Sequence, residues 1–215
     1  MKKVNIALTK GRLEKETIKI FEAMNVNVGE LKNKGRKLIF NCKNNFYDIN
    51  IFLVKAQDVV TYVEYGAADI GIVGKDTLLE TNKEFYEVLD LRIGKCRFAL
   101  ASIPGFKIDD GYRNEYRKKK IATKYPGVAR KYFSKRGQDV EIIKIEGSVE
   151  LAPIVKLADA IVDIVETGET LRENGLVIVE EICNISARMI VNKASMKTKR
   201  EEIIKIIEET SKIID

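Results

Sequence analysis

Apolar positions along the chain switch repeatedly between a period of two and a helical period. Residues 4–8 form an apolar run of strand length, and Leu13, Thr17, Ile20, Phe21 and Met24 then recur at helical spacing. Residues 47–54 alternate, with Ile49, Ile51 and Leu53 on one face. Val59, Val60 and Val63 predict a helix before Gly66, and residues 69–73 predict a further strand. Strands alternating with amphipathic helices in this way predict an α/β fold with largely parallel sheets. Over residues 198–214, Ile203, Ile207 and Ile214 anchor one face of a last helix whose other positions are mostly Glu and Lys. That is the pattern of a docking helix.

Two pairs of segments echo each other. Ala7-Leu-Thr9-Lys10-Gly11-Arg12 is matched by Ile121-Ala-Thr123-Lys124-Tyr-Pro126, each leading into a helix. Ala68-Asp69-Ile-Gly71-Ile-Val73 is matched by Ala158-Asp159-Ala-Ile-Val-Asp163. The spacings between members differ, which excludes a tandem repeat. The echo predicts two α/β lobes around a central cleft, where strand carboxyl ends collect ligands. One lobe spans 1–94 and 177–215, the other 95–176. The chain crosses near Gly94 and Arg97 and again after Gly175, with strands at 177–182 and 187–192 returning to the first lobe. Pro104-Gly105 marks a turn inside the second.

The composition narrows the chemistry. The chain of 215 residues is 45% hydrophobic and 33% charged, as in ordinary globular proteins. It has no apolar run near the ~20 residues needed to span a bilayer, and no apolar leader after Met1, so a cytoplasmic protein is expected. Cys42, Cys96 and Cys183 are scattered without metal spacing, so reduced structural thiols are expected. The net charge is +6, but the bases are mostly interleaved with acids. The one dense run, residues 117–120, reads as solvated surface, and a small polyanionic substrate explains the surplus without nucleic acid. There is no histidine. Ser-His-Asp and Cys-His machines, imidazole zinc sites and histidine acid–base chemistry are therefore excluded.

The most informative stretch runs from Asp159 through Asp163 to Glu166-Thr167-Gly168-Glu169-Thr170-Leu171. It predicts a buried strand, with Asp159, Ile161 and Asp163 on one face, opening through a Thr-Gly-x-Thr turn into a helix. Two acids on a buried strand need a purpose, because an unpaired charge in a core is costly. The turn offers two hydroxyls, a glycine and free amide groups, which suit a phosphate. Carboxylates for ribose hydroxyls or Mg²⁺ beside such a cup suggest a phosphoribosyl site. Read alone, the segment also fits an ordinary strand–turn–helix in which Asp159 and Thr167 serve as caps.

Together with Gly147-Ser-Val-Glu150-Leu-Ala-Pro153, the stretch resembles the phosphoribosyl-pyrophosphate (PRPP) motif of one family, the ATP phosphoribosyltransferases of histidine biosynthesis. Residues 65–76, Tyr65-Gly-Ala-Ala-Asp69-Ile-Gly71-Ile-Val73-Gly-Lys-Asp76, resemble that family almost letter for letter. The resemblance runs from residue 5 to the C-terminus. It implies a periplasmic-binding-protein-like fold (type IV phosphoribosyltransferase) and the reaction ATP + PRPP → N1-(5-phosphoribosyl)-ATP + pyrophosphate. It assigns Glu166, Thr167, Gly168, Glu169 and Thr170 to the 5′-phosphate, and Asp159 and Asp163, with Glu150 nearby, to the ribose, the catalytic step and the metal side. Mg²⁺ is implied as a cation carried by the substrate pyrophosphate. On the ATP side it assigns Lys10, Gly11, Arg12, Lys55, Asp69, Gly71 and Val73. Lys10-Gly11-Arg12 also fits a solvated helix N-terminus, and the Thr123–Pro126 loop a plain turn. Lys156 stands where the family tends to have glycine. The chain stops soon after its last helix, which resembles the short form of the family. That form implies a hetero-oligomer with a homodimer core and a regulatory subunit similar to histidyl-tRNA synthetase.

Two-lobed α/β proteins also include solute binders, and fold alone does not choose a chemistry. The absent leader and the acids beside the phosphate turn argue against that reading. A nucleotide-binding regulatory subunit without catalysis is a third. Pyrophosphate release from ATP, PRPP and Mg²⁺ separates them.

Overall fold

In the computed structural model, which describes residues 2–81, 83, 85–108 and 118–214, the apolar runs of strand length form strands and the segments of helical period form helices. The chain runs β1 (Val4–Thr9), α1 (Arg12–Ala23), α2 (Gly29–Lys32), β2 (Ile39–Lys43), β3 (Asp48–Val54), α3 (Ala56–Glu64), β4 (Ile70–Gly74), α4 (Lys75–Glu80) and β5 (Tyr86–Asp90). It continues with β6 (Cys96–Ser102), β7 (Lys119–Thr123), α5 (Pro126–Lys135), β8 (Val140–Lys144), α6 (Leu151–Ile154), β9 (Ala160–Val165), α7 (Glu169–Glu173) and β10 (Val177–Ile185). β11 (Ala187–Val191), α8 (Lys193–Thr198) and α9 (Arg200–Ile214) complete it. Two units result: Met1–Leu78, Asn82–Gly94 and Ser186–Asp215 form the first, and Leu79–Thr81 with Lys95–Ile185 the second.

The first unit is built on a six-stranded sheet of order β2-β3-β1-β4-β11-β5. Strand alternation sorts its side chains between two cores. Ile6, Leu8, Ile49, Ile51, Ile70 and Ile72 face α1 and α9, where Phe21, Ile203 and Ile206 are buried against them. Ala7, Val73 and Ile190 face Val59, Val60 and Val63 of α3. The last helix docks as expected, but on a face shifted from the expected one: Ile203 and Ile206 are fully buried, and the expected anchors Ile207 and Ile214 lie at the margin. Asn192 starts the return of the chain into helix, its Oδ1 accepting from Ala194 N and Ser195 N at 2.9 Å each, which satisfies two amides of the first turn of α8.

The second unit has a five-stranded sheet of order β10-β6-β9-β7-β8. Ile161 and Val165 of β9 face Ala152 and Leu171, whereas Ala160 and Val162 face Val128, Ala129 and Phe133 of α5. Both sheets are mixed: β3-β1-β4 and β9-β7-β8 are parallel, and the remaining pairings are antiparallel. The parallel share is smaller than the alternation of elements suggests, because hairpins and long return strands flank each parallel set. Residues 177–185, expected to return to the first lobe, pair antiparallel with β6, and the chain re-enters the first unit at Ser186. Apolar alternation marks a strand without naming the sheet it joins. Gly105 forms the expected turn at φ 86°. Of the basic run 117–120, Arg117 lies outside the described residues and Lys118 pairs with Asp139 at 2.7 Å on the surface. Among the described residues no helix is long and apolar enough to cross a membrane.

Three helices end in the same way. After α1, α5 and α7 an amide bonds back five residues, Val26 to Phe21, Gln138 to Phe133 and Leu176 to Leu171. Asn25, Gly137 and Gly175 supply the left-handed residue this closure requires. α6 ends likewise, Leu157 N donating to Ala152 O at 2.9 Å, but the left-handed residue is Lys156, at φ 59°. A side chain there costs about 1–2 kcal/mol, partly offset because glycine loses more backbone entropy on folding. Lys156→Gly is therefore expected to stabilise the chain by about 0.5–1 kcal/mol in urea unfolding. A loss of stability would show that the lysine side chain holds the turn.

Candidate functional site

The echoed acids Asp69 and Asp159 take the same place in both units. Asp69 N donates to Asn5 O and Asn5 N donates back to Asp69 Oδ2, each at 2.8 Å. In the second unit Asp159 N donates to Lys120 O at 2.8 Å and Lys120 N donates to Asp159 Oδ2 at 2.7 Å. Each carboxylate continues the ladder one step before the first strand rung, Ile6 with Ile70 and Ile121 with Ala160. Asp69 also accepts from Ser195 Oγ at 2.7 Å and Lys199 Nζ at 2.6 Å, and it is 3% exposed. Its charge is fully engaged by the sheet and by α8. β9 is six residues long. At ~3.3 Å per residue, Asp159 sits roughly 20 Å from the turn that follows the strand. The structure therefore does not bring Asp159 to the Thr-Gly-x-Thr turn, nor Asp69 to the carboxyl end of β4.

Asp163 is brought there. It lies near the carboxyl end of β9, opposite Ala99 of β6, with Oδ1 accepting from Ile164 N at 2.8 Å. Burial pushes its carboxyl up to about 6; the Ile164 amide and the Lys124 ammonium pull it down, and the Glu150 carboxylate pushes it further up. Lys124 follows β7, and Glu150 stands immediately before α6, its side chain making no capping bond. The loop carrying Lys124 is fixed by Thr123, whose Oγ donates to Val162 O at 2.6 Å and accepts from Tyr125 N at 2.9 Å. The β7–β9 register sets Lys124 beside Asp163, and both Lys124 and Glu150 act on its carboxyl electrostatically.

The turn stands at the same end. Gly168 takes φ 76°, a left-handed conformation that admits glycine readily, and Glu169 N donates to Thr167 Oγ at 3.3 Å. α7 has only five residues, so its dipole is small and an anion would be held mainly by amides and hydroxyls. Glu166 and Glu169 are exposed. Two arginines reach the backbone of this turn: Arg172 donates to Thr167 O at 3.2 Å and Arg97 to Glu166 O at 3.4 Å. Sequence reasoning missed both. Arg172 was readable at the end of α7; Arg97 arrives through the β6–β9 register, which no spacing reveals.

In the first unit, Lys10 and Lys55 follow β1 and β3, which are adjacent and parallel, and Lys10 N donates to Val54 O at 3.0 Å. The two lysines are brought together at one sheet end. Gly11 adopts φ 100°, ψ −129°, and a Cβ there would meet nothing within 4 Å. Backbone conformation, not crowding, requires the glycine. Glu14 accepts from Gly11 N at 3.2 Å and supplies the negative charge that a helix N-terminus favours, while Arg12 pairs with Glu16 at 3.2 Å. Gly71 has a different reason. A Cβ on it would meet Val63, Val59 and Ile190 at 2.7–2.9 Å, so its smallness lets α3 sit on the sheet. Val73, fully buried in the same cluster, is likewise packing.

A family model described as ATP phosphoribosyltransferase matches residues 55–212. The ATP phosphoribosyltransferase of Clostridium botulinum (strain ATCC 19397 / Type A) is 74% identical over 214 residues, covering 100% of this chain and 99% of that protein. The chain belongs to the ATP phosphoribosyltransferase family. Its activity is transfer of the 5-phosphoribosyl group from PRPP to N1 of the adenine of ATP with release of pyrophosphate, the first step of L-histidine biosynthesis. Among solved structures, the ATP phosphoribosyl transferase (HisG:HisZ) complex from Thermotoga maritima superposes with a TM-score of 0.80 at 36% identity, covering 98% of each chain. The periplasmic aliphatic sulphonate binding protein SsuA from Escherichia coli has a TM-score of 0.60 at 10% identity, covering 100% of this chain and 73% of that one, which shows the fold alone. This ATP phosphoribosyltransferase fold is thus periplasmic-binding-protein-like, as the resemblance implies.

The two acids of β9 are expected to respond oppositely to substitution. Asp159→Ala strands the Lys120 amide and should cost about 1–3 kcal/mol of stability while leaving the PRPP affinity of the folded protein unchanged. For Asp163 the raised carboxyl, from 3.8 to about 6, means that the folded chain keeps a proton the unfolded chain has released. That stabilisation is complete below about pH 4 and is lost as the pH rises to about 6. At about pH 8, Asp163→Asn should therefore gain up to about 3 kcal/mol, a gain that closes towards pH 4, and should lose turnover roughly tenfold or more. Urea unfolding at both pH values with steady-state rates checks this; a destabilised Asp163→Asn at pH 8 contradicts it.

Proposed function

We propose that the second unit binds PRPP and the first binds ATP. The observation that carries the reading is the placing of Asp163 and Lys124 side by side at the strand end that also bears Thr167-Gly168-Glu169-Thr170, with Glu150 in the electrostatic field of Asp163. The turn holds the 5′-phosphate through its amides and the Thr167 and Thr170 hydroxyls, with Arg97 and Arg172 offsetting the charge of Glu166 and Glu169. Asp163 faces the ribose, and Lys124 meets the pyrophosphate. Lys10, Gly11, Arg12 and Lys55 receive the phosphate chain of ATP. Asp159, Asp69, Gly71 and Val73 hold the sheets that present these groups.

The chemistry needs no protein nucleophile. As the bond from the anomeric carbon to pyrophosphate breaks, the ribose gains oxocarbenium character, and the lone pair of adenine N1 forms the new bond. N1 is already unprotonated at neutral pH, so no general base is required for the attack. Asp163, ionised above about pH 6, favours the positive charge that develops on the ribose. The remaining acceleration comes from holding the two substrates in register. Among the described residues no group of three or more Asp, Glu or Cys stands ready to hold a metal ion. Two carboxylates, Asp163 and Glu150, suit a Mg²⁺ that arrives with phosphate oxygens of its own. A Mg²⁺ held by these two carboxylates would supply positive charge to offset that of the pyrophosphate.

Substitution at the turn tests the assignment. Thr167→Ala is expected to weaken PRPP binding by about 1.5–3 kcal/mol, because one charge-assisted hydrogen bond is lost. ATP binding should be unaffected, and Gly168→Val should act likewise by straining the left-handed position. Equal losses for both substrates in calorimetry would sink the assignment.

The relative from Thermotoga maritima is a complex of two kinds of polypeptide. We extend that assembly to this chain: a homodimer core joined by a regulatory subunit similar to histidyl-tRNA synthetase, acting in the cytoplasm. Control by histidine then needs a site that the second polypeptide supplies. The purified chain alone should turn over slowly, ignore histidine, and gain both rate and histidine sensitivity when the partner is added. Saturable inhibition by histidine without a partner contradicts this.

A further inference from the structure

The N-terminus of α5 is already occupied by an anion, and the anion belongs to the chain itself. A helix of ten residues starts with amides that lack intrahelical acceptors. Tyr125 N is taken by Thr123 Oγ, and Pro126 has no N–H to offer. The next two amides, Gly127 N and Val128 N, donate to Oε1 and Oε2 of Glu80, each at 3.0 Å. Ala129 N then closes the first turn onto Tyr125 O at 3.0 Å. One carboxylate, held by both oxygens, therefore completes the capping, and a substrate phosphate finds no seat at this helix.

Gly127 is the second sign that this contact is built. A Cβ at Gly127 would meet Glu80 Oε2 at 3.0 Å, Cδ at 3.2 Å and the backbone oxygen at 3.2 Å. Its φ is not in the left-handed region, so no backbone conformation demands glycine here. What glycine permits is the close approach of the carboxylate. The loop that this cap steadies, Thr123-Lys124-Tyr125, carries the ammonium that lies in the electrostatic field of Asp163 and of Glu146.

We propose that Glu80 is a positioning residue for phosphoribosyl transfer: by capping α5 it holds the Thr123–Tyr125 loop so that Lys124 meets the pyrophosphate of PRPP beside Asp163. This rests on the reading that the second unit binds PRPP. Glu80 touches no substrate and acts through Lys124.

Steady-state pyrophosphate release by the full chain tests the coupling. Glu80→Ala should raise KM for PRPP about tenfold and leave KM for ATP within about twofold. Glu80→Gln, which keeps one acceptor oxygen, should recover part of the loss, and Gly127→Ala should reproduce a smaller version of it. Lys124→Ala alone should also raise KM for PRPP, and adding Glu80→Ala to it should change little more, because both act through one side chain. A folded Glu80→Ala protein with wild-type KM for PRPP overturns the proposal, as do effects that simply multiply in the double variant. If Glu80→Ala does not fold, Gly127→Ala and Glu80→Gln decide by the same readout. Should Lys124→Ala leave PRPP kinetics untouched, the PRPP reading of the loop fails first, and the role of Glu80 falls with it.

Discussion

Both sheets depend on one small device, a reciprocal pair of hydrogen bonds between an aspartate and the strand beside it. Asp69 and Asn5 exchange them in the first unit, Asp159 and Lys120 in the second. Parallel strands have no tight turn to set their register, so a slip by one residue would send every core side chain to the wrong face. The carboxylate blocks that slip by replacing a strand carbonyl where the ladder begins. With β4 and β9 fixed against β1 and β7, the opposite ends of those strands are fixed as well, and those ends carry Lys10, Lys124, Asp163 and the Thr167–Thr170 turn.

The acids therefore divide by strand end. At the amino ends they are paired, and their charge is spent on backbone amides, a serine and a lysine. At the carboxyl end of β9, Asp163 is half-buried with one amide partner and a like-charged neighbour, so its carboxyl rises to about 6. A fold selected for stability alone would place an uncharged residue there, and a cost of this kind is what a functional site accumulates. Ligands of open α/β sheets gather beyond the carboxyl ends of strands for the same geometric reason.

Much of this was legible in the sequence. The alternation of Asp159, Ile161 and Asp163, the helical period of α1 and α9, and the left-handed glycine of the turn after β9 each follow from a local rule that the tertiary structure respects. The echo between Ala68-Asp69 and Ala158-Asp159 was also legible, but its meaning was not. A carboxylate on a buried strand reads the same whether it receives an amide or a ribose, and only the register of β1 with β4 and of β7 with β9 separates the two. Gly71 is a similar case: the resemblance assigns it to the ATP side, but the valines of α3 show that its smallness admits a close helix. Arg97 and Glu80 were beyond sequence reasoning because both reach their partners from distant segments. Lys156 shows the reverse, a lysine held in a left-handed position that glycine would suit.

The division of acids by strand end is open to direct observation. In an amide-resolved NMR titration with PRPP and Mg²⁺, shifts are expected at Gly168, Glu169, Thr170 and Lys124, with Lys120 and Asp159 unmoved. Large shifts at Lys120 and Asp159, with the turn silent, would contradict it.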